Sequence, residues 1–253
     1  SQERAAEQLT CSGFCCNIEC LLLECGGWGS ASANLTQIMK IYTEIYGDYD
    51  NVIVQPVVDG VEYVMFTDKP REAKGWNVVV DNRLPELHPR MRAKWFKLHS
   101  HEIFPDDISV HIDGNNQLTT PEKVKELEQY CKGDIAISKH EWRKCIYEEA
   151  KASIPMTKYH NLPISAQVFS YRQEGMPENF GLWACNCLIR DGKNKKTAEL
   201  NELWWQENLK WTYQDQLSLP YLIWKYKFDI YTIPIDLYAS SDTIKLVQHN
   251  SHG

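Results

Sequence analysis

The sequence predicts an α/β domain, and three observations carry that prediction. From Gln37 onward, short apolar runs of strand character alternate with helical patterns. The first three strand-like runs, 38–46, 61–67 and 76–80, close on turns that carry Asp48 and Asp50, Asp68, and Asp81, which sets carboxylates along one edge of a nucleotide-type sheet. A fourth run, in which Ile108, Val110 and Ile112 alternate, stops abruptly at Asp113-Gly114-Asn115-Asn116. It reads as a central strand ending in a ligand-facing turn, since open α/β sheets place their sites at the carboxyl ends of strands. An ordinary Asp-Gly turn is the competing reading.

The chain divides at a breaker. Cys11, Cys15, Cys16, Cys20 and Cys25 crowd residues 1–30, and Gly26-Gly27-Trp28-Gly29-Ser30 separates this cysteine-rich appendage from a single domain over 31–253. The spacings make no two separated CxxC pairs and no histidine stands near, so reduced thiols are favoured over zinc; an odd total of nine cysteines cannot pair completely within one chain. Asn34-Leu35-Thr36 matches the glycosylation sequon.

Residues 89–101 read as a helix with Met91, Trp95 and Leu98 on its apolar side. Arg90, Lys94, Lys97 and His101 follow at helical spacing, so they share one face. That face is either a solvated stripe or a surface for a diphosphate. Thr120 then caps a helix with Pro121 in its first turn, running to about residue 130. A strand is expected at 135–138, helices at 145–150 and 162–174, and a strand at 182–189. A Trp-bearing helix at 197–208 follows, then an apolar helix at 215–224 interrupted by Pro220, and strands at 230–235 and 244–247.

Composition excludes some classes. A net charge of −7 argues against a general nucleic-acid binder, which needs a basic surface to displace phosphate counterions. No apolar run reaches the roughly 20 residues that span a bilayer. Nine tryptophans and thirteen tyrosines supply rings either for the core or for stacking on sugars and bases.

Several motifs, in order, resemble a known family. They are Ile41-Tyr42-Thr43-Glu44-Ile45-Tyr46-Gly47-Asp48-Tyr49-Asp50, the Val61 to Asp68 run, His101-Glu102-Ile103-Phe104-Pro105, Ile112-Asp113-Gly114-Asn115, Cys145 to Ala150, Tyr171 to Pro177, Trp204-Trp205-Gln206-Glu207 and Asp215-Gln216-Leu217-Ser218. This set resembles the glycosyltransferase-like family that includes the plant turgor-regulation and mucilage-related proteins and their bacterial and viral relatives. The resemblance implies a GT-A fold, an α/β/α sandwich with a mixed, mostly parallel central sheet. It also implies transfer of a hexosyl or deoxyhexosyl group from a UDP-sugar to a glycan or other hydroxyl acceptor. A metal-dependent hydrolase on the same site, or a non-catalytic glycan-binding module, are the alternatives.

Further expectations rest on the same resemblance. Asp113 and Asn115 stand where such enzymes carry Asp-x-Asp, with Mn2+ or Mg2+ as the expected ion and His249 or His252 as a further ligand. The amide in place of the second acid puts metal dependence in doubt. Thr43, Tyr46 and Asp68 are expected to border the base and ribose, and Arg90, Lys94 and Lys97 the diphosphate. Asp215 is the candidate general base for the acceptor, with a helix N-cap as its plainer role. His140, Arg143 and Gln216 are candidates for the acceptor side, while Glu148 and Glu149 read as structural partners of a nearby base. The odd cysteine count favours the cytoplasm, with the Golgi lumen as the alternative.

Overall fold

The computed structural model describes residues 37–237 and 240–248. In chain order the elements are β1 (Met39–Ile45), β2 (Val61–Thr67), β3 (Asn77–Val80), α1 (Pro89–Leu98), α2 (Ser100–Ile103), β4 (Ile108–Ile112), β5 (Asn116–Leu118), α3 (Pro121–Glu126), β6 (Ile135–Lys139), α4 (Ile146–Ser153), α5 (Ile164–Gln173), β7 (Trp183–Asp191), α6 (Lys195–Lys210), α7 (Asp215–Tyr226), β8 (Ile230–Ile233) and β9 (Ile244–Leu246). Seven strands form one sheet in the order β3-β2-β1-β4-β7-β6-β8, while β5 and β9 pair apart from it. β7 runs antiparallel to β4 and β6, and every other pairing in the large sheet is parallel. This is a mixed, mostly parallel sheet flanked by helices, a GT-A-like architecture.

The topology fixes where a ligand can enter. The chain steps outward from β1 through β2 to β3, then returns to place β4 on the other side of β1. At such a switch point the loops leaving two neighbouring strands diverge and open a crevice. Here it lies between the carboxyl ends of β1 and β4.

Both faces of the sheet are covered, as the apolar runs require. Ile41 and Ile45 of β1 pack with Met65, Val110, Ile112 and Ile189 on one side, joined by Val124 and Leu127. Tyr42 and Tyr46 turn to the other side, against Phe66, Phe96 and Phe104. A larger cluster gathers Ile135, Ile137 and Leu188 of the sheet with Leu200 and Trp204 of α6 and Leu217 and Leu222 of α7.

Two expectations need correction. The helix at 89–101 is broken at His99, whose φ of −119° and ψ of 32° end α1 before α2 begins. The break turns His101 out of line with Arg90, Lys94 and Lys97; His101 lies against Asn201 and Glu202 instead. Conversely, Pro220 does not interrupt α7, which is continuous to Tyr226 and stops at Lys227 with φ 60°. A proline removes one backbone donor, and the buried face of α7, from Leu217 to Ile223, outweighs that loss.

Candidate active site

A cleft of about 240 Å³ opens at the switch point. Its lining comes from elements far apart in sequence. Glu44 and Tyr46 stand at the end of β1, Tyr49 and Asp50 in the loop after it, and Arg90, Lys94 and Lys97 on α1. Asp113 and Gly114 follow β4, Lys158 and Tyr159 lie in a short 3-10 turn, Cys185 and Asn186 are on β7, and Tyr213 to Gln216 enter α7. Of the four basic residues expected on one face, Arg90, Lys94 and Lys97 line one cleft, and Lys97 is buried there.

An ion-pair chain runs along the floor. Lys97 is only 1% exposed, and its Nζ lies 3.0 Å from Asp113 Oδ1 and 3.0 Å from Asp215 Oδ2. Lys94 also bonds Asp215 Oδ2, and the Asn208 amide donates to Asp215 Oδ1 at 3.3 Å. Burial raises the Asp215 carboxyl, but Lys94 and Lys97 outweigh it and hold the group below the usual carboxylate range. For Lys97, burial opposes the charge, while Asp113 and Asp215 favour it more and raise the ammonium well above its usual value. A lysine this deep needs such partners, because an unpaired buried charge is strongly destabilising.

Behind Lys97 lies a second pair. His111 on β4 is fully buried, and its Nε2 sits 2.9 Å from Glu44 Oε2. Burial pushes the Glu44 carboxyl well above its usual range, and burial followed by Lys97 pushes His111 well below. Glu44 is therefore biased toward the neutral acid and His111 toward neutral imidazole.

The mouth is aromatic and basic. The Arg90 guanidinium lies 3.8 Å from the centre of the Tyr49 ring, with Tyr213 at 6.0 Å. Tyr213 donates to the Lys158 carbonyl at 2.6 Å, and Tyr159 donates to Gln214 Oε1 at 2.7 Å. These bonds fix the turn that aims Lys158 into the cleft. Burial, and then Arg90, lower the Lys158 ammonium from its usual value. Sequence reasoning missed Lys158, Tyr49, Asp50 and Glu44; period-2 reasoning on β1 was the signal available for Glu44, since it shares a face with Tyr46.

The other expected residues are distributed as follows. Tyr46 lines the cleft, donating to the Asp81 carbonyl at 2.8 Å and stacking on Phe96. Thr43 does not line it: strand alternation sends Thr43 to the opposite face, where its Oγ1 is buried without a hydrogen-bond partner. Asp68 sits outside the lining and accepts from the Gly47 N–H at 2.8 Å, bracing the loop after β1. Gln216 is in the cleft. His140 and Arg143 are not; the ring Nδ1 accepts from the N–H of Trp142 and of Arg143, and Arg143 pairs with buried Glu149. Glu149 in turn accepts from Gln214, one residue before Asp215, so this network braces the cleft from behind. Asp215 is the first helical residue of α7, and Gln214 holds the cap position. His249 and His252 lie outside the described residues, as do the five N-terminal cysteines and the sequon.

The expected cation can be tested against these positions. Asn115 is not among the cleft-lining residues, and its carbonyl accepts from Val247 N–H at 2.8 Å. The carboxylate flanking the turn is instead that of Asp50: a Cβ built on Gly114 would lie 2.8 Å from Asp50 Oδ2, so the Asp50 side chain packs directly against the turn. Asn186, also in the lining, has a buried Oδ1 with no hydrogen-bond partner. Asp113, Asp50 and Asn186 all line the cleft and carry oxygen donors, the ligand type that hard divalent ions take.

Residues 61–252, about three quarters of the chain, match the model of the TOD1/MUCI70 glycosyltransferase-like domain. The chain belongs to the TOD1/MUCI70 family. Among curated proteins, it is 36% identical over 104 residues to the probable hexosyltransferase MUCI70 of Arabidopsis thaliana, a match covering 40% of this chain and 18% of that protein. The TOD1/MUCI70 match takes in α1, the Asp113 turn, Lys158 and Asp215, whereas Glu44, Tyr46, Tyr49 and Asp50 precede it. Among the described residues, no helix is long and apolar enough to cross a membrane.

Proposed function

We propose that this cleft binds the diphosphate of a nucleotide-activated sugar, a UDP-hexose by class, and that the chain transfers the sugar to a hydroxyl of a glycan or related acceptor. One observation carries the reading: Arg90, Lys94, Lys97 and Lys158 converge on one cleft at the β1–β4 switch point of a glycosyltransferase-like chain. When the bond from sugar carbon to phosphate oxygen breaks, its electron pair leaves with the diphosphate. Fixed cations aimed at that oxygen lower the barrier most when water is excluded. Tyr49 and Tyr213 offer ring faces at the mouth, where a base or sugar can stack.

Asp113, with Asp50 and Asn186, would hold Mn2+ or Mg2+, and the ion would neutralise charge on the departing diphosphate. Asp215 takes a different role from the general base its sequence position offered. A carboxylate held low by two ammonium groups is a weak proton acceptor, so its work is to hold Lys94 and Lys97 in position.

Calorimetric titration with UDP, with and without Mn2+, tests the reading. Saturable binding that weakens at least fivefold in Lys94→Ala is expected. Absence of binding in both conditions would overturn it. UDP-sugar consumption that does not respond to acceptors would favour hydrolysis in the same cleft.

A further inference from the structure

We propose a transition-metal site, of the class that takes Zn2+, formed by His99, Glu102 and Glu202 at the junction of α1, α2 and α6, apart from the donor cleft. One ligand atom from each of these three residues lies within 4.8 Å of the others. None of the three lines the cleft.

The histidine carries the argument. His99 is 3% exposed, and its Nδ1 lies 2.7 Å from the Trp95 carbonyl. A carbonyl can only accept, so Nδ1 bears the proton and Nε2 presents its lone pair. The ring is clamped in that orientation, stacked on Trp95 at 4.3 Å and meeting the edge of Trp205 at 5.4 Å. Nε2 points toward Glu202 Oε1 at 3.8 Å, too far for a hydrogen bond.

A lone pair facing a carboxylate, with a second carboxylate nearby, is an arrangement that a cation resolves. The bond from Nδ1 to a backbone carbonyl is the support that metal-bound imidazoles usually have. One nitrogen and two carboxylate oxygens suit zinc-class ions better than Ca2+ or Mg2+, which prefer oxygen alone. Glu102 and Glu202 are exposed, so their side chains can close on an ion without disturbing the core. His101 Nε2, 3.2 Å from the same Glu202 oxygen, shares that carboxylate. Its Nδ1 faces the Asn201 amide at 3.1 Å, which makes Nδ1 the acceptor and Nε2 the protonated nitrogen, so His101 orients Glu202 and does not ligate. An ion here would tie α1, the helix that carries Lys94 and Lys97, to α6.

The test uses the full chain, stripped with a chelator, its thiols blocked by alkylation so that cysteines do not compete. Zn2+ is titrated by calorimetry, and Co2+ is followed by its visible absorption. Expected are one zinc equivalent bound more tightly than Ca2+, a rise in Tm with Zn2+, and a cobalt spectrum of nitrogen and oxygen ligation. Affinity should fall at least about tenfold in Glu202→Gln and in Glu102→Gln, surface changes that leave the fold intact, and also in His99→Gln. Equal zinc affinity in wild type and Glu202→Gln, or binding of Ca2+ in preference to Zn2+, would overturn the proposal. Neither result bears on UDP binding in the cleft.

Discussion

Lys97 Nζ lies 3.0 Å from Asp215 Oδ2, and both residues are nearly sealed from solvent, at 1% and 4% exposure. The pair joins the last turn of α1 to the first turn of α7 across 118 residues of sequence, at the floor of the cleft. Lys97→Met would leave Asp215 with Lys94 alone and Asp113 without its lysine. Removing one member of a buried pair costs about 3–5 kcal/mol. Urea unfolding of Lys97→Met should show a loss of that order; a change below about 1 kcal/mol would mean the pair is not sealed.

Asp215→Asn separates two roles. If Asp215 positions Lys94 and Lys97, the variant loses both stability and UDP affinity, because two ammonium groups lose their anchor. If it acts as a general base, UDP affinity and unfolding midpoint stay near wild type and only turnover falls. The expected result is the first, read by calorimetry and denaturation on the same preparation.

Lys158 is half-buried; the hydrogen bond to its carbonyl holds the turn without its ammonium, which meets the Tyr159 ring at 4.9 Å. Lys158→Ala should therefore cost no more than about 1 kcal/mol of stability, the size of one cation–π contact. It should weaken UDP binding by about tenfold, a loss in line with one charge-assisted contact. Wild-type UDP affinity in this variant would place Lys158 outside the donor site.

Glu44 gives a pH signature. Its carboxyl is raised by burial, so the folded chain keeps a proton that the unfolded chain releases above roughly pH 4.3. The stability this contributes is complete below that value and is lost as pH rises toward the folded pKa. Glu44→Gln is neutral throughout and does not suffer the loss. The Tm of the variant relative to wild type should therefore climb between pH 4 and 7; a constant difference would show that Glu44 is not held protonated.

Much of this was legible in the sequence. The alternation at Ile108, Val110 and Ile112 ends at Asp113, and the structure puts that strand beside β1 with its turn in the cleft. The spacing of Arg90, Lys94 and Lys97 was sufficient to set them on one face, because helical period is local. His101 escaped the pattern, since the break at His99 depends on how that ring packs between Trp95 and Trp205. Thr43 and Glu44 differ by one position, and strand period alone cannot say which face meets a ligand before the helices are placed. Lys158 and Asp50 sit in turns with no periodicity, and only tertiary folding carries them to Arg90 and Gly114. Asn115 resembled the second half of an acidic motif, yet the carboxylate beside Gly114 comes from Asp50, 64 residues before that glycine.

The measurement that tests the central claim most directly is UDP release from a panel of UDP-hexoses in the presence of Mn2+, by wild type, Lys94→Ala and Asp113→Ala. Release from at least one UDP-hexose, rising when hydroxyl acceptors such as oligosaccharides are added and falling at least tenfold in both variants, is the predicted result. Release that is equal in wild type and both variants, or none from any UDP-hexose by a wild-type protein that also fails to bind UDP, would contradict it.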